Sequence, residues 1–379
     1  PLRRQRQMCI RDRSYDIDSN DTDPDDSSSS TITGIRIGST EDSGVAGTIG
    51  SGLTGTYGTL TVNANGSYSY AANQSAADAL DVGDNVTDIF NYTISDGSTT
   101  DTGLITITII GINDDPVAAN DTGTVNEGET LTVSNGSSDI IDDNDTDADA
   151  SASLVVSAIR LGNSEGTGTA GTVGSALTGT YGQLTLNSNG SYTYVANTSA
   201  ANALDAGDTV SDYFNYTLSD GTATDTATIT ITVTGVDDDI TAVNDYDSVS
   251  EGSSISRSAG TSYDIDSDDT DPDASSSQSI TAIRTGSAEG SGTTGTLGQA
   301  LTGTYGQLTL NSNGSYTYVA NQDAANALDA GDSVVDYFNY RAYTQYFSGR
   351  LIGYQYDRAV IAITVNGVND APVAANDTN

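Results

Sequence analysis

The chain has 379 residues, 52 acidic and 12 basic, for a net charge of −40; every basic residue is Arg, and neither Lys nor His occurs. These absences exclude a Ser-His-Asp triad, a Cys-His pair, His metal ligation, Schiff-base and P-loop lysines and a Lys–Asn isopeptide staple. No basic patch exists to neutralise phosphates on nucleic acid or an anionic membrane, one Cys allows no intrachain disulfide or thiolate zinc site, and no run of 18 apolar residues offers a transmembrane helix.

In chain order, residues 1–13 ("PLRRQRQMCIRDR") come first and look foreign to the rest. They hold five of the twelve Arg, the only Cys and the only Met. Without a following apolar region they are not a secretory signal, and they read as a translated adaptor or assembly join. The stretch "DIDSNDTDPD" from Asp16 then packs five Asp and one Asn into ten residues. Two carboxylates ~4 Å apart repel by roughly 4 kcal/mol at an effective dielectric of about 20. Asp21, Asp23 and Asp25 alternate, so in a straight strand they stand ~7 Å apart on one face. That is too far for one ion with oxygen bonds of ~2.4 Å. The Ser, Asn, Asp and Pro content predicts that the segment curls and that a multivalent hard cation gathers its oxygens. Calcium, with six to eight oxygens in loose geometry, suits this better than strictly octahedral magnesium. An EF-hand does not fit, because Asp21 and Ser27 fall where Gly and Glu are needed. RTX nonapeptides do not fit, because no Gly-Gly pair occurs.

Further along, "GTYGTLTVNANGSYSY" begins at Gly55, and "GTYGQLTLNSNGSYTY" begins at Gly179 and at Gly303, each 124 residues after the last. The Asp cluster recurs as "IIDDNDTDAD" from Ile140 and "DIDSDDTDPD" from Asp264. A third marker, "GINDDPVAAND" at Gly111, returns as "GVDDDITAVND" at Gly235 and "GVNDAPVAAND" at Gly367. A 124-residue period is a whole domain rather than a solenoid unit. The expected beads are 14–112 (lacking its start), 113–236 and 237–368, with 369–379 opening a truncated fourth. By recurrence, the cluster candidates for metal are Asp16, Asp18, Asp21, Asp23 and Asp25, then Asp142, Asp145 and Asp147, then Asp264, Asp266, Asp269 and Asp271.

Within a bead the signals are β. Residues 183–197 alternate apolar and polar on both sides of Asn189-Gly190, a strong hairpin signal. Residues 212–235 give a second strand pair around Asp220-Gly221, with Phe214, Tyr216 and Leu218 alternating on one strand and Ile229, Ile231 and Val233 on the next. Thr fills the outer face. Residues 199–208 predict a helix of about two turns by apolar spacing. Many short strands with Gly, Asn and Asp turns predict an all-β fold, a Greek-key β-sandwich in each bead. The third bead departs at 341–359, which carries three Arg and several Tyr and lacks the Asp-Gly turn. It reads as a binding insertion or a sequence error, with the balance toward error.

The stretch from Gly179 through Gly235 resembles the VCBS repeat of bacterial surface proteins, and "NDTDPD" with "GVNDAPVAAND" resembles the bacterial cadherin-like domains. The resemblance covers 14–379 apart from 341–359. It implies tandem Ig-like or cadherin-like sandwiches, beads on a string, in large secreted adhesins and biofilm proteins at the bacterial cell surface, often exported by type I systems. By analogy with cadherins, calcium would sit between beads. The resemblance then implies that Glu127 joins Asp237, Asp238 and Asp239 of the linker and Asp264 and Asp266 of the next bead. The earlier junction would use Asn113, Asp114, Asp115 and Asp142, more weakly, because Ile140 replaces the first Asp of the pair. Glu251 would serve the last junction with Asn369 and Asp370.

Three functions compete. A calcium-stiffened stalk predicts like beads with adjacent repeats as partners and no special pocket. A ligand-binding module, for carbohydrate or protein, predicts an exposed aromatic platform, for which only Tyr343, Tyr346, Tyr354 and Tyr356 are unassigned. An accessory segment of a secreted enzyme would have its catalytic domain elsewhere. The acids sit in loops and linkers with no pair set apart for catalysis, so the chain itself reads as a non-enzyme.

Overall fold

The computed structural model describes residues 17, 21–22, 30–136, 138–262, 264–265, 267–273, 278–348 and 351–371. Asp16, Asp18, Asp23, Asp25 and Asp266, together with residues 1–13 and 372–379, lie outside the described residues.

The first repeat supplies β1 (Thr31–Ile37), β2 (Gly52–Thr54), β3 (Thr59–Val62), β4 (Tyr68–Ala71), the one-turn α1 (Ser75–Asp78), β5 (Asn85–Ser95) and β6 (Thr100–Ile110). They form two sheets, ordered β1-β5-β6 and β2-β3-β4. The second supplies β7 (Asp121–Asn126), β8 (Thr130–Val133), α2 (Ile140–Asn144), β9 (Val155–Leu161), β10 (Thr169–Ala170), β11 (Ala176–Thr178), β12 (Gln183–Leu186), β13 (Tyr192–Val195), β14 (Thr209–Ser219) and β15 (Thr224–Thr234). Its sheets run β10-β9-β14-β15-β7 and β11-β12-β13-β8. The third supplies β16 (Asp245–Ser250), β17 (Ser254–Arg257), β18 (Ser279–Thr285), β19 (Ala300–Thr302), β20 (Gln307–Leu310), β21 (Tyr316–Val319), β22 (Ser333–Ser348) and β23 (Leu351–Asn366), in sheets β16-β23-β22-β18 and β17-β21-β20-β19. The chain is therefore all-β tandem sandwiches.

The period-2 alternation builds the core. Phe214, Tyr216 and Leu218 point inward from β14, and Ala227, Ile229, Ile231 and Val233 from β15. Leu184, Leu186, Tyr192 and Tyr194 close the sandwich from the other sheet. Tyr194 meets Phe214 edge-to-face at 6.3 Å, a geometry repeated by Tyr70–Phe90 and Tyr318–Phe338 and favoured by the ring quadrupoles. The first strand of the second repeat, β7, pairs parallel with its last, β15, from Asp121↔Ile229 to Asn126↔Thr234. The third repeats this with β16 and β23.

One carboxylate is structural in each repeat. Asp212, 2% exposed, accepts from the backbone N–H groups of Thr180, Tyr181 and Gly182 at 2.8–3.1 Å and from the Tyr194 hydroxyl at 2.7 Å. Asp88 and Asp336 make the same four bonds. A Cβ on Gly179 would lie 2.3 Å from Asp212, so only glycine lets the loop close on it.

The hairpin expected around Asn189-Gly190 forms, β12 pairing with β13 across a five-residue loop between Leu186 and Tyr192. The structure departs from the sequence reading in two places. Residues 199–203 form hydrogen-bonded turns rather than a two-turn helix. In place of a uniformly curled Asp loop, "IIDDN" forms α2, capped by Asp139, whose Oδ1 accepts from Ile141 and Asp142 N–H. In the third repeat, residues 341–348 and 351–359 continue the sheet. β22 and β23 stay in register from Ser333↔Asn366 to Ser348↔Leu351, each 16 residues long against 11 for β14 and β15.

Candidate metal centres at the repeat junctions

Each complete repeat places a buried glutamate at the turn after its first strand. Glu127, 4% exposed, accepts from Val236 N–H at 2.6 Å through Oε1, while its Oε2 is buried with no hydrogen-bond partner. Glu251, 6% exposed, does the same with Val368 N–H at 2.5 Å and likewise leaves Oε2 unpartnered. Both glutamates thus hold the first residue after a repeat's last Gly and keep one oxygen spare. A buried acceptor left so is unfavourable unless a ligand fills it.

Linker and following repeat supply further carboxylates. Asp238 N–H donates to Asp273 at 3.2 Å, and Asp273 N–H to Asp271 at 3.1 Å. Burial, then Asp271, Asp237 and Asp238, pushes Asp273 up to about 7 against the pull of the Asp238 N–H. Asp237 and Asp238 are raised by burial and by their acidic neighbours, and Glu127 by burial and by Asp238 and Asp205. The earlier junction is built alike: Asp114 N–H donates to Asp149 at 2.8 Å, and Asn113 Nδ2 donates to Asp220 at 2.9 Å. Asp147 keeps a buried Oδ2 without a partner. Asn369 and Asp370 are exposed, with Asn369 Nδ2 donating to the Asp370 carbonyl.

The acids brought to the linker are not all those the sequence singled out. Asp264 stays in its own loop, accepting from Gly260 and Thr261 N–H, and the carboxylate that reaches the linker is Asp273. Asp142 is exposed on α2, with Asp149 at the linker instead. Asp115 and Asp239 are exposed. Ile140 does not replace an Asp. Its N–H donates to Gly190 O, as Ile17 does to Gly66 O and Ile265 to Gly314 O, so Asp139 is the counterpart of Asp264. The alternating Asp residues also serve two places rather than one. Asp147, Asp149, Asp271 and Asp273 belong to the linker, whereas Asp145 and Asp269 turn inward.

There Tyr216 OH lies 2.9 and 3.0 Å from the two oxygens of Asp145, Tyr340 OH lies 2.8 Å from Asp269, and Tyr92 OH lies 2.9 Å from Asp21. Asp121 and Asp245, absent from the sequence candidates, stand beside these pairs. Burial pushes Asp121 up to about 7 and Asp245 to about 9, reinforced by acidic neighbours, and Asp145 to about 6. The signal for them was present in the third marker, "VAAND" and "TAVND", whose last residue is this Asp.

A different surface lies on the long hairpin of the third repeat. Tyr343 stacks on Tyr354 at 5.6 Å, and Arg341 lies over Tyr356 with 4.6 Å to the ring centre. Tyr354 and Tyr356 are half exposed. The Tyr346 side chain is outside the described set. On the opposite edge, Gln355 donates from Nε2 to Asp237 and accepts from Ile240 N–H at 3.2 Å, gripping the linker at both ends of its amide. No described helix is long and apolar enough to cross a membrane.

The sequence model of the bacterial cadherin-like domain matches residues 9–111 and again 113–235. No curated protein matches the chain. Among solved structures, the protocadherin GammaB4 extracellular domain is similar over 82% of this chain at 10% identity and a TM-score of 0.34, and the chain spans 44% of its length. Mouse clustered PcdhgC3 EC1-3 is similar over 88% of this chain and 89% of its own, at 11% identity and a TM-score of 0.32. Drosophila N-cadherin EC1-4 is similar over 90% and 68%, at 9% identity and a TM-score of 0.28.

Proposed function

Since the chain belongs to the bacterial cadherin-like domain family, we propose that it is a calcium-stiffened stalk segment of a bacterial extracellular adhesin or biofilm protein. The observation that carries this reading is the spare, buried Oε2 of Glu127 and of Glu251 at two successive junctions, beside linkers rich in carboxylates. An all-oxygen, strongly anionic donor set fits calcium and not zinc.

At the second junction the residues that would hold the ion are Glu127 from one repeat, Asp237 and Asp238 from the linker, and Asp271 and Asp273 from the next. At the first they are Asn113, Asp114, Asp147, Asp149 and Asp220. Bound calcium would supply two positive charges and six to eight coordination positions. Without it, the acids of three segments repel and the linker is a hinge. With their charge matched, glutamate, linker and following loop are drawn together, and the hinge has one setting. Binding to the folded state alone raises stability by mass action. No step in this role calls for catalysis.

The full chain in EDTA, in calcium and in magnesium should be compared by thermal melting and small-angle X-ray scattering. Calcium alone should raise the midpoint and lengthen the particle. An unchanged length at millimolar calcium would overturn the reading. A second reading, glycan or protein recognition by the third repeat, is favoured by the stacked Tyr343–Tyr354 pair and Arg341 over Tyr356. A glycan-array signal removed by Tyr354→Ala with Tyr356→Ala would support it.

A further inference from the structure

The junctions leave the inward-facing Asp pairs unused. In the second repeat, one phenolic proton on Tyr216 is surrounded by Asp145 Oδ1 and Oδ2 and the carbonyl of Ala119, at 2.9, 3.0 and 2.9 Å. It also interacts with Asp121. A hydroxyl has a single proton to give, and Ala119 N–H donates as well, at 2.7 Å from Asp145 Oδ1. Oxygens therefore outnumber donor hydrogens. Asp121 is 9% exposed, its Oδ2 is buried without a hydrogen-bond partner, and it lies within electrostatic reach of Asp145 around the shared Tyr216 hydroxyl.

The third repeat reproduces this at the same spacing. Tyr340 OH faces Asp269 and the carbonyls of Val243 and Ile265 at 2.8, 3.0 and 3.2 Å. Asp245 Oδ2 is buried and unpartnered. Asp264, only 2% exposed and with its own unpartnered Oδ1, stays in its loop and adds to the negative charge felt by Asp245. No Arg is among the strongest influences on these acids. Buried carboxylates crowded together are unstable as such.

We propose that each complete repeat holds a second hard divalent cation, calcium by donor type, inside the domain: between Asp121 and Asp145 in the second repeat and between Asp245 and Asp269 in the third. Among the described residues no three acidic or Cys side chains stand already assembled as a metal site, at the junctions or here; a junction ion must draw its carboxylates together, and the inner site has two. The carbonyls of Ala119 and Val243 therefore complete the two-carboxylate set. All donors are oxygen, as calcium requires. The site lies inside one repeat and needs no neighbouring repeat, so it stands apart from the junction reading. It would stiffen the start of the first strand rather than the linker.

The test is bound calcium per full-length chain by equilibrium dialysis, for the parent, for Asp121→Asn with Asp245→Asn, and for Glu127→Gln with Glu251→Gln. The inner-site variant should lose one calcium per substituted repeat and keep the whole calcium-induced lengthening, whereas the glutamate variant should lose part of the lengthening. If the inner-site variant binds as much calcium as the parent and melts higher in EDTA, the carboxylates share a proton that Asn imitates, and the inference is overturned. A fold-independent check uses terbium. The chain has no Trp, so tyrosine sensitises its emission. Tyr216→Phe with Tyr340→Phe keeps the core rings and should remove part of that emission; undiminished emission would overturn the site.

Discussion

Two kinds of buried Asp coexist in the second and third repeats, and they differ in how many N–H groups reach them. Asp212 receives three backbone N–H groups and a phenol, whereas Asp121 ends with a bare oxygen. Asp212→Ala would strand those donors in the core and should destabilise the second repeat by about 3 kcal/mol or more, seen as an early transition in a thermal melt. The under-satisfied acids act in the opposite sense with pH. Their folded pKa values, about 6 to about 9 for Asp145, Asp121, Asp273 and Asp245, lie above the unfolded value of about 3.9. Between those limits the folded chain keeps protons that the unfolded chain has released, so stability is present at acid pH and lost as pH rises through the folded values. In EDTA the melting midpoint should therefore be higher at pH 5 than at pH 8. Asp96, Asp220 and Asp247 are shifted down, so their contribution changes only below about pH 4. Saturating calcium should narrow or reverse the difference. At this scale the sequence announced that the Asp clusters mattered but not how they divide. Spacing shows which carboxylates alternate; it cannot show that Asp145 turns to Tyr216 OH, 71 positions away, while Asp149 turns to the linker.

Strands and hairpins were far more legible, because their information is local. The alternation of Phe214, Tyr216 and Leu218 states its own buried face. The turn at Gly190 also needs glycine: φ is +85°, and an added Cβ would lie 2.9 Å from Asp139 Oδ1. Gly190→Ala should cost about 1–2 kcal/mol from the left-handed backbone alone and disturb the Asp139 cap of α2, read as loss of amide protection at Ile141. That α2 exists was hidden, since an Asp-rich stretch reads as turn and its helix depends on Asp139 capping two N–H groups. The long hairpin of the third repeat was legible as a departure but not as a brace. In the second repeat, Asp220 on the short β14–β15 turn meets Asn113 of the linker. In the third, β22 and β23 run on past that point and Gln355 of β23 holds Asp237 and Ile240 instead. Hairpin and linker have exchanged amide and carboxylate, and one side chain now grips the linker at two points without a cation. Gln355→Ala should increase the flexibility of the second junction in EDTA and leave the first unchanged, measurable by spin labels placed across each linker.

For the whole molecule, the 124-residue period made the tandem architecture readable, and the family match over two repeats agrees with it. The partner residues at each junction were not readable, because the register between linker and following loop is set by backbone contacts such as Asp238 N–H to Asp273. If the glutamates are the shared element of the junctions, Glu127→Gln should abolish calcium-dependent ordering at the second junction only, and Glu127→Gln with Glu251→Gln at both served by these residues. Small-angle scattering should then show less of the calcium-induced lengthening, while each repeat keeps its own melting transition.

The parallel pairing of first and last strands bears on how such a chain carries tension. The second repeat is entered ahead of Asp121 and left after Thr234, at opposite ends of one ladder whose six residue pairs run from Asp121↔Ile229 to Asn126↔Thr234. A pull on the two ends slides β7 along β15, so the bonds of the ladder share the load and must fail together. An antiparallel pair pulled from adjacent ends would instead unzip one bond at a time. In single-molecule stretching, the second and third repeats should each yield in a discrete, high-force event, and substituting Pro for Thr124, within β7, should lower the force of one of them.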